Sequence, residues 1–157
     1  MEGSQFDELA FFRAIAQSGA RALLIGRRAL IALGMPVMTR DYDFWIPAED
    51  AQLLNDALRP LELLPTRSPE QARAHGRYVI EGDEHVDVLV ARAVSTLDGV
   101  MVCFEDVWSR RVQLALDATV SISIPSIEDL ISTKKFGGRP RDADDIRWLE
   151  RLRQTKP

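Results

Sequence analysis

Apolar residues recur along the chain at two spacings, which predict a mixture of helices and strands. Apolar positions three or four residues apart are typical of one face of an α-helix, whereas short apolar runs and alternating patterns are typical of strands. Helices are predicted over residues 6–19, 27–34, 48–59, 104–111, 126–138 and 141–154. Strands are predicted over residues 22–26, 39–46, 77–81, 85–91, 112–116 and 119–124. Segment 60–76 contains Pro60, Pro65 and Pro69, so it is predicted to be a loop or a short irregular helix.

Turn residues between neighbouring strand patterns predict hairpins, and therefore a partly antiparallel sheet. Gly82-Asp83 separates one pair of strand patterns, and Asp117-Ala118 separates another. Helices are interspersed with these strands, so the sequence predicts a mixed α/β (α+β) fold with a sheet flanked by helices, and not a doubly wound parallel sheet. At 157 residues, the chain is predicted to form one domain over residues 1–157.

Composition narrows the classes of function. The formal net charge is −4, which argues against broad electrostatic binding to nucleic acid. Cys103 is the single cysteine, so an internal disulfide cannot form and a reducing cytoplasm is the expected location. The first residues lack the basic region of a signal peptide, and no apolar run approaches the ~20 residues that span a bilayer. We therefore expect a cytoplasmic protein without a membrane partner.

Two aspartates lie on one side of the strand predicted over residues 39–46. Side chains alternate along a strand, so Asp41 and Asp43 point one way while Tyr42 and Phe44 point the other way. Neighbouring carboxylates repel and raise each other's pKa unless a cation lies between them. Mg²⁺ prefers such oxygen ligands. The alternative is an exposed strand face with solvated acids, which is common by chance.

A third aspartate interrupts the otherwise apolar strand at residues 86–90. Burial of Asp87 is costly unless the carboxylate is paired or bound to metal. If this strand lies beside that of Asp41 and Asp43, three carboxylates converge, as in sites that hold two metal ions for in-line phosphoryl transfer. The alternative is an ion pair between Asp87 and an arginine such as Arg77.

Basic residues near two helices supply further candidate positions. Gly26 closes an apolar strand before a helix, a turn that presents free backbone N–H groups to an anion, with Arg27 and Arg28 beside it. The alternative is an ordinary strand-to-helix turn. Lys134 lies on the apolar stripe of the helix at residues 126–138, where it either faces a functional site or snorkels outward near the C-terminal end of the helix dipole.

The order of these features resembles the nucleotidyltransferase superfamily, the fold of the DNA polymerase β catalytic core. That superfamily has a glycine turn, a helix, a D-x-D strand and a third acid on a later strand. The sequence is most similar to the AbiEii-like bacterial group, related to abortive-infection toxins, in which "G-x-x-A-L … G … T-x-D-x-D" recurs. The matching residues are Gly26, Ala29, Leu30, Gly34, Thr39, Asp41 and Asp43. The group also ends with "E-D-L-I-x-x-K" and a "G-R-x-K-D" turn, similar to "EDLISTKKFGGRPRDADDI" at residues 128–146.

The resemblance implies Mg²⁺-dependent transfer of a nucleoside monophosphate from an NTP to an acceptor hydroxyl on an RNA such as tRNA, a protein or a small molecule. It also implies a role as the toxin of a toxin–antitoxin or abortive-infection system. Two Mg²⁺ ions would be bound by Asp41, Asp43 and Asp87, with Lys134 near the triphosphate or a catalytic carboxylate. The nucleotide-binding candidates are Gly26, Arg27, Arg28, Thr39, Arg40, Arg139 and Asp142. By its position in the sequence, Asp142 is also a candidate helix N-cap, with Asp145 as its capping-box partner.

Two positions depart from the superfamily pattern. Arg27 replaces a small residue after the first glycine, where its side chain would block the phosphate site or add charge to it. Val37 replaces a recurrent arginine, whose role Arg28 or Arg40 would have to fill. The rival hypothesis is therefore a catalytically degenerate protein that binds nucleotide or a protein partner, such as an antitoxin. Self-association stays open, and Trp45 is predicted either to stack on a base or to lie in the core.

Overall fold

The computed structural model describes residues 6–155, which form a mixed sheet, two small hairpins and flanking helices. The helices are α1 (Glu8–Gln17), α2 (Gly26–Ala32), α3 (Ala51–Leu58), α4 (Pro69–His75), α5 (Phe104–Ser109), α6 (Ile127–Lys134) and α7 (Pro140–Thr155). The strands are β1 (Leu23–Ile25), β2 (Asp41–Ile46), β3 (Leu64–Pro65), β4 (Arg77–Glu81), β5 (His85–Val90), β6 (Ala93–Ser95), β7 (Met101–Cys103), β8 (Val112–Ala115) and β9 (Ser121–Ile124).

The main sheet has the strand order β1-β2-β5-β4-β3. Strands β2 and β5 are parallel, while the other neighbouring pairs are antiparallel. The β4–β5 hairpin turns at residues 82–84, and the β8–β9 hairpin turns at residues 116–120, so the two hairpins predicted from turn residues are confirmed. The fold class is the predicted mixed α/β arrangement.

One face of the main sheet forms the larger part of the core. Tyr42, Phe44 and Ile46 of β2 are buried on this face with alternate residues of β4 and β5. From α1, Phe11 and Phe12 pack against the rings of Tyr42 and Phe44 at centroid distances of 5.0–6.5 Å. Burying this face requires the other residues of each strand to point to the opposite side. That side carries Asp41 and Asp43.

Trp45 belongs to a second, smaller core on the opposite face. Its side chain is completely buried against Phe104 and Phe136, and its indole Nε1 donates to the backbone oxygen of Ala91 over 2.9 Å. A base cannot stack on a ring that is covered in this way. Of the two predictions for Trp45, the core position is the correct one.

Two parts of the chain differ from the sequence-based prediction. Segment 60–76 contains β3 and the regular helix α4, because Ser68 and Gln71 form a reciprocal capping box and Pro69 occupies the first turn, where proline is tolerated. The short β6–β7 hairpin was not predicted. Its three-residue strands are too short to give a clear periodic pattern.

The described residues also allow a test for membrane-spanning helices. Between residues 6 and 155, no helix is long and apolar enough to cross a membrane.

Candidate active site

The parallel pairing of β2 with β5 brings the three predicted aspartates to one cleft. Asp43 is the register partner of Asp87, and Asp41 precedes Asp43 by two residues on the same side of β2. All three line a cleft of about 850 Å³ between the sheet and the chain from α6 to the start of α7. The convergence therefore follows from strand order, which the sequence alone did not supply.

The carboxyl group of Asp43 has a raised pKa. This pKa is raised to about 6, with burial as the largest cause and the negative charges of Asp87 and Asp41 as the next. Arg139 and Lys134 act in the opposite direction. The cleft floor therefore disfavours a further negative charge and favours a cation beside Asp43.

The three carboxylates fit an open Mg²⁺ site rather than a closed cage. Among residues 6–155, no three His, Cys, Asp or Glu side chains are already grouped as a set of metal ligands. Mg²⁺ usually takes one or two carboxylates and completes its coordination with water and substrate phosphates. Hard oxygen donors that face a solvent-open cleft match this chemistry, so we regard Asp41, Asp43 and Asp87 as the candidate metal ligands.

Gly26 is required by the close approach of Asp43. It follows Ile25, the antiparallel register partner of Asp43, and has a φ of +72°. A Cβ atom at this position would lie 2.5 Å from Oδ2 of Asp43. Both the backbone conformation and the space therefore call for glycine. The predicted glycine turn lines the cleft directly beside the acids.

Arg27 neither blocks the cleft nor adds charge to it. Its guanidinium donates to both carboxylate oxygens of Asp145 on α7, over 3.1 and 3.3 Å. Asp145 is completely buried and also lies 2.8 Å from Lys134 Nζ. Burial would raise the pKa of Asp145, but Lys134 and Arg27 outweigh it and lower the pKa. Both effects predicted for Arg27 at the phosphate site were wrong, and Asp145 is an ion-pair partner, not a capping-box residue.

Lys134 faces the cleft from α6 and does not snorkel to solvent. Its side chain is only 3% exposed and lines the cleft. The contact with Asp145 is close, but no acceptor among the described residues satisfies hydrogen-bond geometry with Nζ. Its charge also lowers the pKa of Asp43. The ammonium group is thus a buried cation with free donors beside the acids.

Arg28, Thr39 and Arg40 lie away from the cleft, on another surface pocket. The guanidinium carbon of Arg28 lies 4.1 Å from the ring centroid of Tyr42, and its nitrogens donate to the backbone oxygens of Thr39 and Asp41. The structure does not bring these three predicted nucleotide-binding side chains to the cleft. Thr39 instead accepts from the backbone N–H of Asp41 over 3.2 Å.

The start of α7 lies at the cleft mouth. Asp142 is buried and accepts from the backbone N–H of Arg139 over 3.1 Å, while Pro140 is the first helical residue. Asp142 is therefore the third residue of the helix, and its carboxylate accepts a hydrogen bond from the backbone N–H that precedes the first turn. The prediction that Asp142 is the N-cap was wrong. The side chain of Arg139 is 58% exposed and lines the cleft with Arg141.

The opposite wall of the cleft contains residues that the sequence did not identify as a site. They are Thr66, Arg67, Arg77 and Val79, from β4 and the segment that follows β3. Val79 is the register partner of Asp87, and the basic side chain found beside Asp87 is His85, with Nε2 3.4 Å from Oδ1, in place of the alternative partner Arg77. Alternation backwards from the Gly82-Asp83 turn would have placed Arg77 and Val79 on the face of Asp87.

Comparisons with known proteins identify the fold. No model of a protein family and no curated protein matches the chain. A solved structure of the antibiotic-resistance factor ANT(2'')-Ia in complex with adenylyl-2''-tobramycin is 15% identical, with a TM-score of 0.60, and the match covers 89% of this chain and 83% of that chain. The chain has the nucleotidyltransferase fold.

Two further solved structures agree. The lincosamide antibiotic adenylyltransferase LnuA, bound to lincomycin, is 14% identical with a TM-score of 0.60, and the match covers 94% of this chain and 98% of that chain. A Thermotoga maritima protein, a candidate nucleotidyltransferase, is 15% identical with a TM-score of 0.56, and the match covers 90% of this chain and 89% of that chain. Identities this low support the fold, while the AbiEii-like subgroup stays a prediction.

Proposed function

We propose that the protein is a Mg²⁺-dependent nucleotidyltransferase that moves a nucleoside monophosphate from an NTP to an acceptor hydroxyl. The observation that carries the proposal is the convergence of Asp41, Asp43 and Asp87 on adjacent parallel strands at one cleft. Burial, followed by the charges of Asp87 and Asp41, raises the pKa of Asp43 to about 6, so a cation bound beside it would stabilise the ionised carboxylate. A magnesium–triphosphate complex supplies such a cation together with phosphates for the nearby basic residues.

Each role in the proposal belongs to a residue that lines the cleft. Asp41 and Asp43 would hold Mg²⁺, and Asp87 would complete the site and accept the proton of the attacking hydroxyl. Bound Mg²⁺ would neutralise the charge that develops on the triphosphate. Lys134 and Arg139, whose charges already act on Asp43, would contact the phosphate oxygens.

The proposed reaction is a direct displacement at the α-phosphorus of the NTP. The acceptor oxygen forms a bond to the α-phosphorus and its proton passes to the carboxylate of Asp87. The bond from the α-phosphorus to the bridging oxygen breaks, and pyrophosphate leaves with the electron pair. Catalysis would come mainly from positioning and charge neutralisation.

The position of Arg27 supports chemistry over the degenerate alternative. That alternative was motivated by a bulky cation in the glycine turn, but Arg27 is bound to Asp145 and leaves the turn clear. The three acids and the buried Lys134 are all present at the cleft. In addition, ANT(2'')-Ia and LnuA, which share the fold, are associated with adenylyl products or adenylyl transfer.

Calorimetric titration tests the proposal. ATP, GTP, CTP and UTP are titrated into the protein with Mg²⁺, then with EDTA, and then into Asp43→Asn with Mg²⁺. We expect at least one NTP to bind only with Mg²⁺ and to lose at least tenfold in affinity in the variant. Asp83→Asn is the matched control, because Asp83 lies in the β4–β5 turn and outside the cleft.

Binding alone does not distinguish transfer from simple nucleotide recognition, so release of pyrophosphate is measured with the same variants. Metal-dependent binding that survives unchanged in a folded Asp43→Asn variant contradicts the proposed site. Binding without any pyrophosphate release across candidate RNA, protein and small-molecule acceptors supports the degenerate alternative.

A further inference from the structure

The strand order gives the acids two distinct sides. Strand β1 and the Gly26 turn lie on one side of β2, and there Asp145 of α7 joins Arg27, directly after the turn, to Lys134 of α6. Strands β4 and β3 lie on the other side, beyond Asp87. Neighbouring strands are about 4.8 Å apart, so β4 lies roughly 10 Å from β2. An NTP and an acceptor bound on either side of the three aspartates would therefore contact different walls of the cleft.

The first side suits the triphosphate. Lys134 is a buried cation paired with Asp145, and its side chain lines the cleft together with that of Arg139. In an in-line displacement, the attacking oxygen approaches the phosphorus from the side opposite the leaving group. If pyrophosphate leaves toward Lys134, the acceptor must occupy the side of β5 and β4.

The second side is positively charged. Arg77 shares the cleft face of β4 with Val79, and Arg67 lies beside it after β3. Arg67 Nη1 donates to the backbone oxygen of Arg77 over 2.6 Å, which fixes the Arg67 side chain along this wall. In the described part of the chain, neither arginine forms an ion pair with a carboxylate. Both guanidinium groups thus keep charge-assisted donors for a ligand.

We infer that the acceptor carries a negatively charged group, a phosphate or a carboxylate, next to the hydroxyl that is modified. This inference rests on the proposed function and specifies its second substrate. Arginine binds both groups through paired N–H donors, whereas a cationic acceptor such as an amine would meet like charge on this wall. Thr66, on the same wall, adds a hydroxyl beside the two arginines.

Three compounds with one carbon skeleton test the inference: glycerol, glycerate and glycerol 3-phosphate. Each is titrated into the protein saturated with Mg²⁺ and an ATP analogue whose α–β bridge cannot be cleaved, and backbone amide shifts are followed by NMR. We expect glycerol 3-phosphate or glycerate to bind at least about tenfold more tightly than glycerol, with shifts at residues 66–67 and 77–79. Preference between the two anions identifies phosphate or carboxylate as the recognised group.

The variant Arg67→Gln/Arg77→Gln provides the decisive comparison. It should lose the preference for the anionic compounds and keep the affinity for the ATP analogue. Arg59→Gln, an exposed arginine outside the cleft, should behave like the wild type.

The outcomes separate the two proposals. If the ATP analogue does not bind to the wild type, the proposed function fails and the inference falls with it. If the analogue binds but glycerol binds as tightly as the anions, or the preference survives in the double variant, only the inference is overturned. Weaker binding of the analogue to the double variant would assign the arginines to the nucleotide and overturn the inference as well.

Discussion

The ionisation of Asp43 has a cost in the metal-free protein. Burial, followed by the charges of Asp87 and Asp41, raises its pKa from the ordinary 3.8 to about 6. Between these two values the unfolded chain has released the proton while the folded protein retains it. Folded-state stability therefore falls as the pH rises through this window, and the penalty is complete above pH 6.

We predict that Asp43→Asn stabilises the metal-free protein at pH 8, because the amide has no charge to desolvate. About two pKa units correspond to at most about 3 kcal/mol, so we expect a gain of about 1–3 kcal/mol in the free energy of unfolding. The gain should vanish near pH 4. Urea unfolding at pH 4, 6 and 8 in EDTA measures it, with Asp83→Asn as the matched control. A variant less stable than the wild type at pH 8 would contradict the electrostatic account.

Gly26 combines a left-handed backbone with a position against the Asp43 carboxylate. We predict that Gly26→Ala lowers the free energy of unfolding by about 2–4 kcal/mol and abolishes nucleotide binding. Gly99→Ala is the matched control, since Gly99 has a φ of +85° and nothing within 4 Å of an added Cβ. It should cost only about 1–2 kcal/mol, from the backbone alone.

A double-mutant cycle separates the two causes at Gly26. In an Asp43→Ala background the contact with Oδ2 is gone and only the 3.2 Å approach to the Cβ of residue 43 remains, so the cost of Gly26→Ala should fall most of the way to that of Gly99→Ala. Chemical unfolding of the four proteins of the cycle measures this. An equal cost of Gly26→Ala in both backgrounds would show that the collision with Asp43 contributes nothing.

Between elements, Asp145 joins three parts of the site. From α7 it contacts Lys134 on α6 and Arg27 on α2, and the carboxylate is completely buried. It holds Arg27 away from the glycine turn and Lys134 toward the cleft. The charges of these two cations lower the pKa of Asp145 against the effect of burial. Its stabilising contribution is complete above the ordinary pKa and is lost as the pH falls through the lowered value.

We predict that Asp145→Asn lowers the free energy of unfolding at pH 7 by about 3–5 kcal/mol, because it leaves two cations without their carboxylate. The difference should shrink at pH values low enough to protonate Asp145 in the folded protein. Asp144→Asn is the control on the same helix, since Asp144 is exposed and its ion-pair partner within residues 6–155 is the exposed Arg147, and it should change stability by less than about 0.5 kcal/mol. Urea unfolding at pH 7 and pH 3 compares them. Equal effects of the two variants at pH 7 would contradict a structural role for Asp145.

For the whole molecule, binding of a ligand to the folded protein should increase the free energy of unfolding. A ligand that binds only the folded protein adds about 2.7 kcal/mol at a concentration of 100 Kd, which corresponds to about 5–10 °C in Tm for a domain of this size. We predict that Mg²⁺ with the preferred NTP raises the Tm by this amount, and that EDTA or Asp43→Asn abolishes the rise. Differential scanning calorimetry measures it. A rise of the same size in EDTA would place the nucleotide outside the acidic site.

The fold class and most of the helices and strands could be predicted from the sequence, because they depend on short-range patterns. Alternation on β2 and the turn at Gly82-Asp83 follow from strand geometry, and both are confirmed. For helix α4 the prediction left a loop and a short irregular helix open because of the three prolines, although Pro69 lies at the helix start, where proline is compatible. The sequence did not predict that the Arg28 side chain lies over the Tyr42 ring, because a charge near a glycine turn does not give the direction of a side chain.

The sequence by itself determined most of the strands and helices and which acids share one face of a strand, because side-chain periodicity is a local property of the backbone. Only the tertiary structure decided that Asp87 pairs in register with Asp43, since strand order depends on how the whole chain packs. It also decided that Arg27 and Lys134 meet Asp145, and that Arg67 and Arg77 form the far wall of the cleft. These contacts join residues far apart in sequence, and burial of the shared core, rather than any local pattern, brings them together.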